Sequence, residues 1–103
     1  MKTRNVLKSL VAALLLSSSA YAQYSISGKV TGADGENLTG ALVVLDDKSR
    51  GVNTRVDGSF TISNLPSGEY VLYARFFGYE EQTQRITIGN SNVVVNFKLN
   101  VSF

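Results

Sequence analysis

Residues 53–72 read Asn-Thr-Arg-Val-Asp-Gly-Ser-Phe-Thr-Ile-Ser-Asn-Leu-Pro-Ser-Gly-Glu-Tyr-Val-Leu, and this stretch decides the fold. Two turn signals divide it into three short segments of strand length. Asp57-Gly58 is the first, because Asp and Gly both tolerate the positive φ of a two-residue hairpin. Leu65-Pro66-Ser67-Gly68 is the second, in which Pro fixes φ and Gly is free to adopt a left-handed conformation. The stretch therefore predicts a small antiparallel β domain.

Alternating apolar and polar residues extend this pattern in both directions, and no helical period follows residue 22. Gly28 interrupts the apolar face of the first segment, which indicates a bulge or a close approach of another backbone. About seven strands with regularly spaced turns predict an all-β fold, a seven-stranded antiparallel Greek-key β-sandwich. The predicted strands cover residues 24–30, 41–45, 52–56, 59–64, 69–77, 82–88 and 93–103.

The first 22 residues have the three parts of a secretory signal peptide. Three basic residues precede an apolar run at 10–16 that is too short to span a bilayer as a helix. Ala20-Tyr21-Ala22 fits the small-x-small cleavage rule, so we predict a cleaved signal peptide at 1–22 and one domain at 23–103. The alternative is an uncleaved N-terminal anchor. Cleavage would place the domain in the periplasm, at the outer membrane or outside the cell.

The basic character of the chain belongs to this leader. Removing its three basic residues from the ten Lys and Arg leaves seven, against eight Asp and Glu. These seven are scattered along the chain, so no clustered basic face predicts nucleic-acid binding. The chain has no Cys, which excludes disulfides and a lipid-modified N-terminal cysteine.

The residue types argue against catalysis. The chain contains neither His nor Cys, which excludes thiol nucleophiles, the usual Ser-His-acid arrangement and the common zinc sites. A Ser-Lys or paired-carboxylate mechanism has no supporting motif, so we predict no enzyme, no catalytic residue, no metal and no cofactor. Asp46-Asp47, or Asp34 with Asp57, could supply oxygen ligands for Ca²⁺. Each lies in or beside a turn, and turn formation is the preferred interpretation.

The aromatic residues allow two interpretations. Most are expected in the core with their hydroxyls at the rim, since Tyr buries an apolar body and keeps a polar tip. The alternative is an exposed face on which sugar rings stack. The residues predicted for such a ligand face are Tyr73, Arg75, Phe77 and Tyr79.

Five stretches together resemble the carboxypeptidase regulatory-like domain, which has a prealbumin (transthyretin-like) β-sandwich. The resemblance covers the whole chain after the leader, and the stretches that carry it are residues 26–30, 34–43, 51–60, 65–72 and 78–79. The version that the chain most resembles follows the signal peptide of TonB-dependent outer-membrane receptors for polysaccharide or siderophore uptake, ahead of a plug and a barrel. Asn37-Leu38 departs from the Pro-Leu usual in the family.

The resemblance implies a non-catalytic accessory module at the cell envelope. Its partner would be an envelope protein or the rest of an outer-membrane receptor, and a glycan is the alternative ligand. A truncated receptor gene, a fragment and a standalone domain remain open, so transport activity is not carried over. Asn92–Phe103 is the segment that we expect to offer a sheet edge for strand addition, because it alternates cleanly.

One covalent possibility comes from a second resemblance, to collagen-adhesin repeats with the pattern Gly-x-Tyr-x-Leu. Such repeats form Lys–Asn isopeptide bonds with the help of a buried Glu two residues after the Leu. Here Ala74 stands at that position. A bond from Lys29 to Asn96 or to Asn100 is therefore not expected.

Overall fold

The computed structural model describes residues 22–103, and it confirms an all-β sandwich. The predicted signal peptide lies, except for Ala22, outside the described residues. No helix within 22–103 is long and apolar enough to cross a bilayer. The strands are β1 (Tyr24–Gly32), β2 (Leu42–Leu45), β3 (Gly51–Asn53), β4 (Ser59–Leu65), β5 (Gly68–Arg75), β6 (Gln82–Ile88), β7 (Val93–Val94) and β8 (Phe97–Leu99).

The eight strands of the described chain form two sheets. The first has β1 in the centre, with β4 on one side and both β7 and β8 on the other. The second has the order β3-β2-β5-β6 and is antiparallel throughout. The expected antiparallel pairing holds everywhere except for β7 and β8, which run parallel to β1. The first sheet is therefore mixed, and the strand count exceeds the predicted seven because the last segment is divided.

Gly28 explains this division. A Cβ at Gly28 would lie 1.6 Å from the carbonyl oxygen of Val95, so the last segment packs directly against β1 where β1 has no side chain. The close approach predicted from Gly28 is confirmed. The chain leaves the ladder at Val95 and Asn96, and the Asn96 Oδ1 atom accepts a bond of 3.0 Å from the Lys29 N–H. A continuous strand over 93–103 was therefore the wrong expectation: periodicity along one segment does not report a contact with β1.

The inward residues of both sheets form one apolar core. Phe60 and Phe97, the largest fully buried side chains, meet at its centre with ring centroids 6.2 Å apart. β2 lies inside the second sheet, between β3 and β5, and the unbroken apolar run at 41–45 predicts a strand covered on both faces, but β2 is covered on one face only. Val43 and Leu45 are buried, whereas Leu42 and Val44 on the outer face are half-buried. The rest of the core comprises Ile26, Val30, Leu38, Ala41, Ile62, Leu65, Leu72, Ala74, Ile88, Val95 and Leu99.

The turn at Asp57-Gly58 forms by a different geometry from the one predicted. The Gly58 N–H donates to the Arg55 carbonyl at 2.8 Å, so the central residues of the turn are Val56 and Asp57. Gly58 follows with φ 79°, whereas Asp57 is not among the positive-φ residues. This is a three-residue loop ending in a left-handed glycine. The strands on its two sides, β3 and β4, then diverge into different sheets.

Thr54 is the buried polar residue of the described core, at 5% exposure. Its hydroxyl donates to the Leu38 carbonyl at 2.5 Å and accepts from the Ala41 N–H at 2.9 Å. These bonds satisfy two backbone groups in the buried end of the β1–β2 loop. A buried backbone group without a partner is costly, so Thr54 determines how this loop closes over the core.

Candidate functional site

The structure brings two of the four predicted ligand-face residues together and separates the others. Tyr73 and Arg75 lie on the outer face of β5, away from the core. Phe77 lies in the turn after β5 and is 99% exposed. Tyr79 follows that turn and packs against the core. A single aromatic face formed by all four residues is therefore not present.

Tyr73 and Arg75 are each held by an acidic neighbour. The Tyr73 hydroxyl donates to Asp46 Oδ1 at 3.2 Å, and the charge of Asp46 followed by this bond raises the pKa of Tyr73 above its ordinary 10.0. The Arg75 Nε atom lies 2.7 Å from a Glu81 carboxylate oxygen. Both pairs are exposed to solvent, so they position side chains more than they stabilise the fold.

These four side chains border a shallow cavity of about 290 Å³. Its floor includes the apolar Val44, and its rim carries hydroxyl, carboxylate and guanidinium groups. This mixture can accept and donate hydrogen bonds beside an aromatic surface, which is what a sugar requires. Within residues 22–103, no group of three or more acidic or metal-ligating residues could hold a metal ion.

Tyr79 has a structural role. Its hydroxyl donates to Glu36 Oε1 at 2.7 Å, and its ring lies 5.7 Å from the ring of Phe76. The hydrogen bond to Glu36 raises the pKa of Tyr79 above its ordinary 10.0. Tyr79 therefore ties the β1–β2 loop to the β5–β6 turn. Glu36 is distant in sequence, so the pattern around Tyr79 does not reveal this bond.

The turn aspartates also serve the scaffold. The Asp57 Oδ1 atom accepts from the Ser59 hydroxyl at 2.6 Å and from the Ser59 N–H at 3.0 Å. Asp47 makes the same pair of bonds with Ser49. The hydroxyl bonds, followed by the backbone bonds, hold the pKa of both carboxyl groups below the ordinary 3.8. These contacts are those of turn-forming aspartates.

The first sheet has β4 at one edge and the last segment at the other, and this second edge differs from the one predicted over Asn92–Phe103. It consists of the two short strands β7 and β8, of two and three residues. Between them the Asn96 carbonyl accepts a bond of 2.6 Å from Gln84 Nε2. After Leu99 the chain bonds to the β5–β6 turn, where the Glu80 N–H donates to Asn100 and the Ser102 N–H donates to Gly78. Little of this edge remains open for an added strand.

The second sheet has β3 at one edge and β6 at the other; the β6 edge is longer than the edge formed by β7 and β8, and the sequence did not identify it. β6 is a continuous strand of seven residues that pairs with β5 alone. One backbone hydrogen bond shows which residues of these strands bond to which neighbour: the Asp46 N–H donates to the Val71 carbonyl at 2.8 Å. In an antiparallel sheet, residues of one strand point their backbone groups alternately to its two neighbours. Val71 therefore bonds to the β2 side, and Leu72 bonds to β6 through Gln84.

Three residues of β6 consequently direct their backbone groups away from the sheet. Gln84, and the residues two positions to either side of it, bond to β5. Thr83, Arg85 and Thr87 present three N–H and three C=O groups on the open side. Their side chains are exposed on the outer face of the sheet. No backbone bond from elsewhere in residues 22–103 reaches these groups.

Sequence comparison places most of the chain in one family. The sequence model described as carboxypeptidase regulatory-like domain matches residues 25–100. The BOS complex subunit NOMO1 of Mus musculus is 38% identical over 53 residues, which are 50% of this chain and 4% of that protein. The chain thus spans a small part of that relative.

Solved structures confirm the fold at low identity. BcpA, the major pilin subunit of Bacillus cereus, matches with a TM-score of 0.67 and 18% identity, over 79% of this chain and 30% of that one. GBS52, a minor pilin of Streptococcus agalactiae, matches with a TM-score of 0.64 and 20% identity, over 81% and 46%. Catechol 1,2-dioxygenase from Pseudomonas arvilla C-1 matches with a TM-score of 0.63 and 11% identity, over 82% and 54%. Pilins and enzymes share this sandwich, so the likeness identifies the fold alone.

Proposed function

The chain belongs to the carboxypeptidase regulatory-like domain family, and we propose that it is an exported, non-catalytic interaction module of the cell envelope. In this proposal the module corresponds to the N-terminal extension of a TonB-dependent receptor. Its partner is an envelope protein or the rest of such a receptor. The predicted leader at 1–22 supports export.

One observation carries the non-catalytic part. Four of the side chains with reactive or ligand-binding potential hold turns and loops together. Asp47 and Asp57 fix their own turns, and Thr54 and Tyr79 close the β1–β2 loop. Residues engaged in this way maintain the shape of the sandwich, and what remains for a partner is its surface.

Export can be tested on the full chain with a C-terminal tag, expressed in a Gram-negative host. We expect the protein in the envelope fraction, with a mature N-terminus at Gln23 found by mass spectrometry. An Ala20→Leu/Ala22→Leu variant is the control, since it removes the cleavage signal and leaves the apolar run. A full-length, unprocessed wild-type protein in the cytoplasm would contradict the proposal.

The cavity beside Tyr73 favours a second candidate, carbohydrate binding. Its aromatic, carboxylate and guanidinium lining suits a sugar, although Phe77 and Tyr79 lie outside it. Soluble glycans should then shift the NMR signals of Tyr73 and leave those of Tyr24 unchanged. A Tyr73→Ala variant should lose the response. If no glycan in a broad panel shifts Tyr73, this candidate is eliminated.

A further inference from the structure

The open side of β6 has the hydrogen-bonding capacity of a strand that lacks a neighbour. Thr83, Arg85 and Thr87 alternate along it, so their free N–H and C=O groups are spaced as an added strand requires. Natural proteins protect exposed edges with charges, prolines, bulges or a covering segment. β6 has no proline and shows no register shift against β5, and Arg85 is its single charged residue. Its edge is thus poorly protected.

The outer face of this edge favours a negative charge. Arg85 lies between Thr83 and Thr87, and no carboxylate of residues 22–103 is within salt-bridge distance of its guanidinium. Glu69, which pairs with Thr87 across β5 and β6, and Arg85 both border a second cavity of about 290 Å³, separate from the one beside Tyr73, and they form no ion pair. A residue directly opposite Arg85 on an added strand would stand beside an unpaired cation. Opposite charges in such cross-strand pairs are stabilising.

The inner face of the edge favours apolar side chains. Ile86 is half-buried and packs against the core, and Gln84 beside it is also half-buried. A strand added next to β6 would place its inward-facing residues beside these two side chains. Apolar residues at those positions would extend the core and remove the remaining surface of Ile86 from water.

A second copy of the chain does not fit this edge well. Two β6 strands paired antiparallel about their common centre would place Arg85 of each copy opposite Arg85 of the other. Like charges that are directly opposite destabilise a strand pair. The edge is therefore better suited to a different strand than to itself.

We propose that β6 accepts an extended segment of a partner protein, with an acidic residue opposite Arg85 and apolar residues beside Gln84 and Ile86. This inference rests on the proposed function and specifies its partner. The segment would extend the second sheet by one strand. Main-chain bonds to Thr83, Arg85 and Thr87 would provide the affinity, and the two faces of the strand would provide the selectivity.

Synthetic peptides test the proposal on the full chain. The probe is an end-capped Thr-Val-Glu-Val-Thr peptide, whose palindromic sequence makes its direction immaterial. Its matched control has Lys in place of Glu. We expect the Glu peptide to slow amide hydrogen exchange at Thr83, Arg85 and Thr87, measured by NMR. The Lys peptide should bind at least about fivefold more weakly, because it places like charges opposite each other.

Two variants complete the design. Arg85→Glu should reverse the preference between the peptides. Thr83→Pro should abolish binding, since it removes an outward N–H while leaving the bonds to β5 intact. Equal binding of both peptides, or protection outside β6, would overturn the proposal. The absence of protection at every peptide concentration up to the solubility limit would also overturn it. Envelope localisation without peptide binding would refute this inference alone, whereas cytoplasmic retention would refute the proposed function alone.

Discussion

The last segment of the first sheet and strand β6 of the second sheet form two opposite kinds of edge. Beside β1, the segment from Val93 to Leu99 is split where Val95 packs against Gly28, and the Gln84 side chain occupies a carbonyl of that segment. Beside β5, strand β6 runs unbroken and leaves three residues with free backbone groups. The last segment has the cleaner alternation in the sequence, yet it forms the more closed edge. Alternation of apolar and polar residues indicates which face of a strand is buried. Whether the edge of that strand is open depends on which of its backbone groups are already bonded to neighbouring segments.

The largest expected effect concerns the contact between Gly28 and Val95. Gly28→Ala places a methyl group where the Val95 carbonyl now lies, so the last segment must move away from β1. We expect a loss of about 3 kcal/mol or more in the free energy of unfolding, measured by urea denaturation. Gly89→Ala is the control, since a Cβ there meets nothing within 4 Å, and its effect should stay within about 0.5 kcal/mol. Equal stability of the two variants would mean that the Val95 carbonyl does not pack against Gly28.

Two proline substitutions test which residues of β6 bond to β5. Gln84→Pro removes a bond to β5 and should cost about 3 kcal/mol, whereas Thr83→Pro removes an outward N–H and should cost about 1 kcal/mol or less. Gln84→Ala separates the loss of the Gln84 side-chain bond to Asn96 from the backbone effect. The measurement is again urea denaturation. If Thr83→Pro lowers the free energy of unfolding more than Gln84→Pro does, then Thr83, and not Gln84, bonds to β5.

Much of this comparison could be predicted from the sequence, and part of it could not. Gly28 predicted the close approach of another backbone, and the alternation over Gln82–Ile88 predicted β6 with its observed bounds. The break at Val95 depends on a contact with a residue 67 positions earlier in the chain, which local periodicity does not encode. The same is true of the bond from Tyr79 to Glu36, which removes Tyr79 from the predicted ligand face.

Thr54→Val should have an intermediate effect. The substitution preserves shape and removes the hydroxyl, leaving the Leu38 carbonyl and the Ala41 N–H without their partner. We expect a cost of about 2 kcal/mol, since buried backbone groups would lose their bonds. Thr87→Val, on the exposed face of β6, is the matched control and should change stability by about 0.5 kcal/mol or less. An equal, small cost for both would show that the β1–β2 loop closes without Thr54.

The smallest effect is a pH dependence of the turn that leads into β4. Asp57 has a lowered pKa in the folded state, so its stabilising effect is present above the ordinary value of 3.8 and is lost as the pH falls through the folded value. The difference in unfolding free energy between wild type and Asp57→Asn should therefore shrink in acid. Denaturation midpoints across the acidic range measure it. A difference that is independent of pH would exclude this role of the Asp57 carboxylate.

Amide hydrogen exchange in the free, full-length chain tests the open edge most directly. The amides of Gln84 and Ile86, which bond to β5, should exchange slowly. The amides of Thr83, Arg85 and Thr87 should exchange at rates close to those of an unstructured peptide, giving a fast–slow alternation along β6. Uniform protection of all five amides, or the opposite alternation, would contradict an open edge at β6.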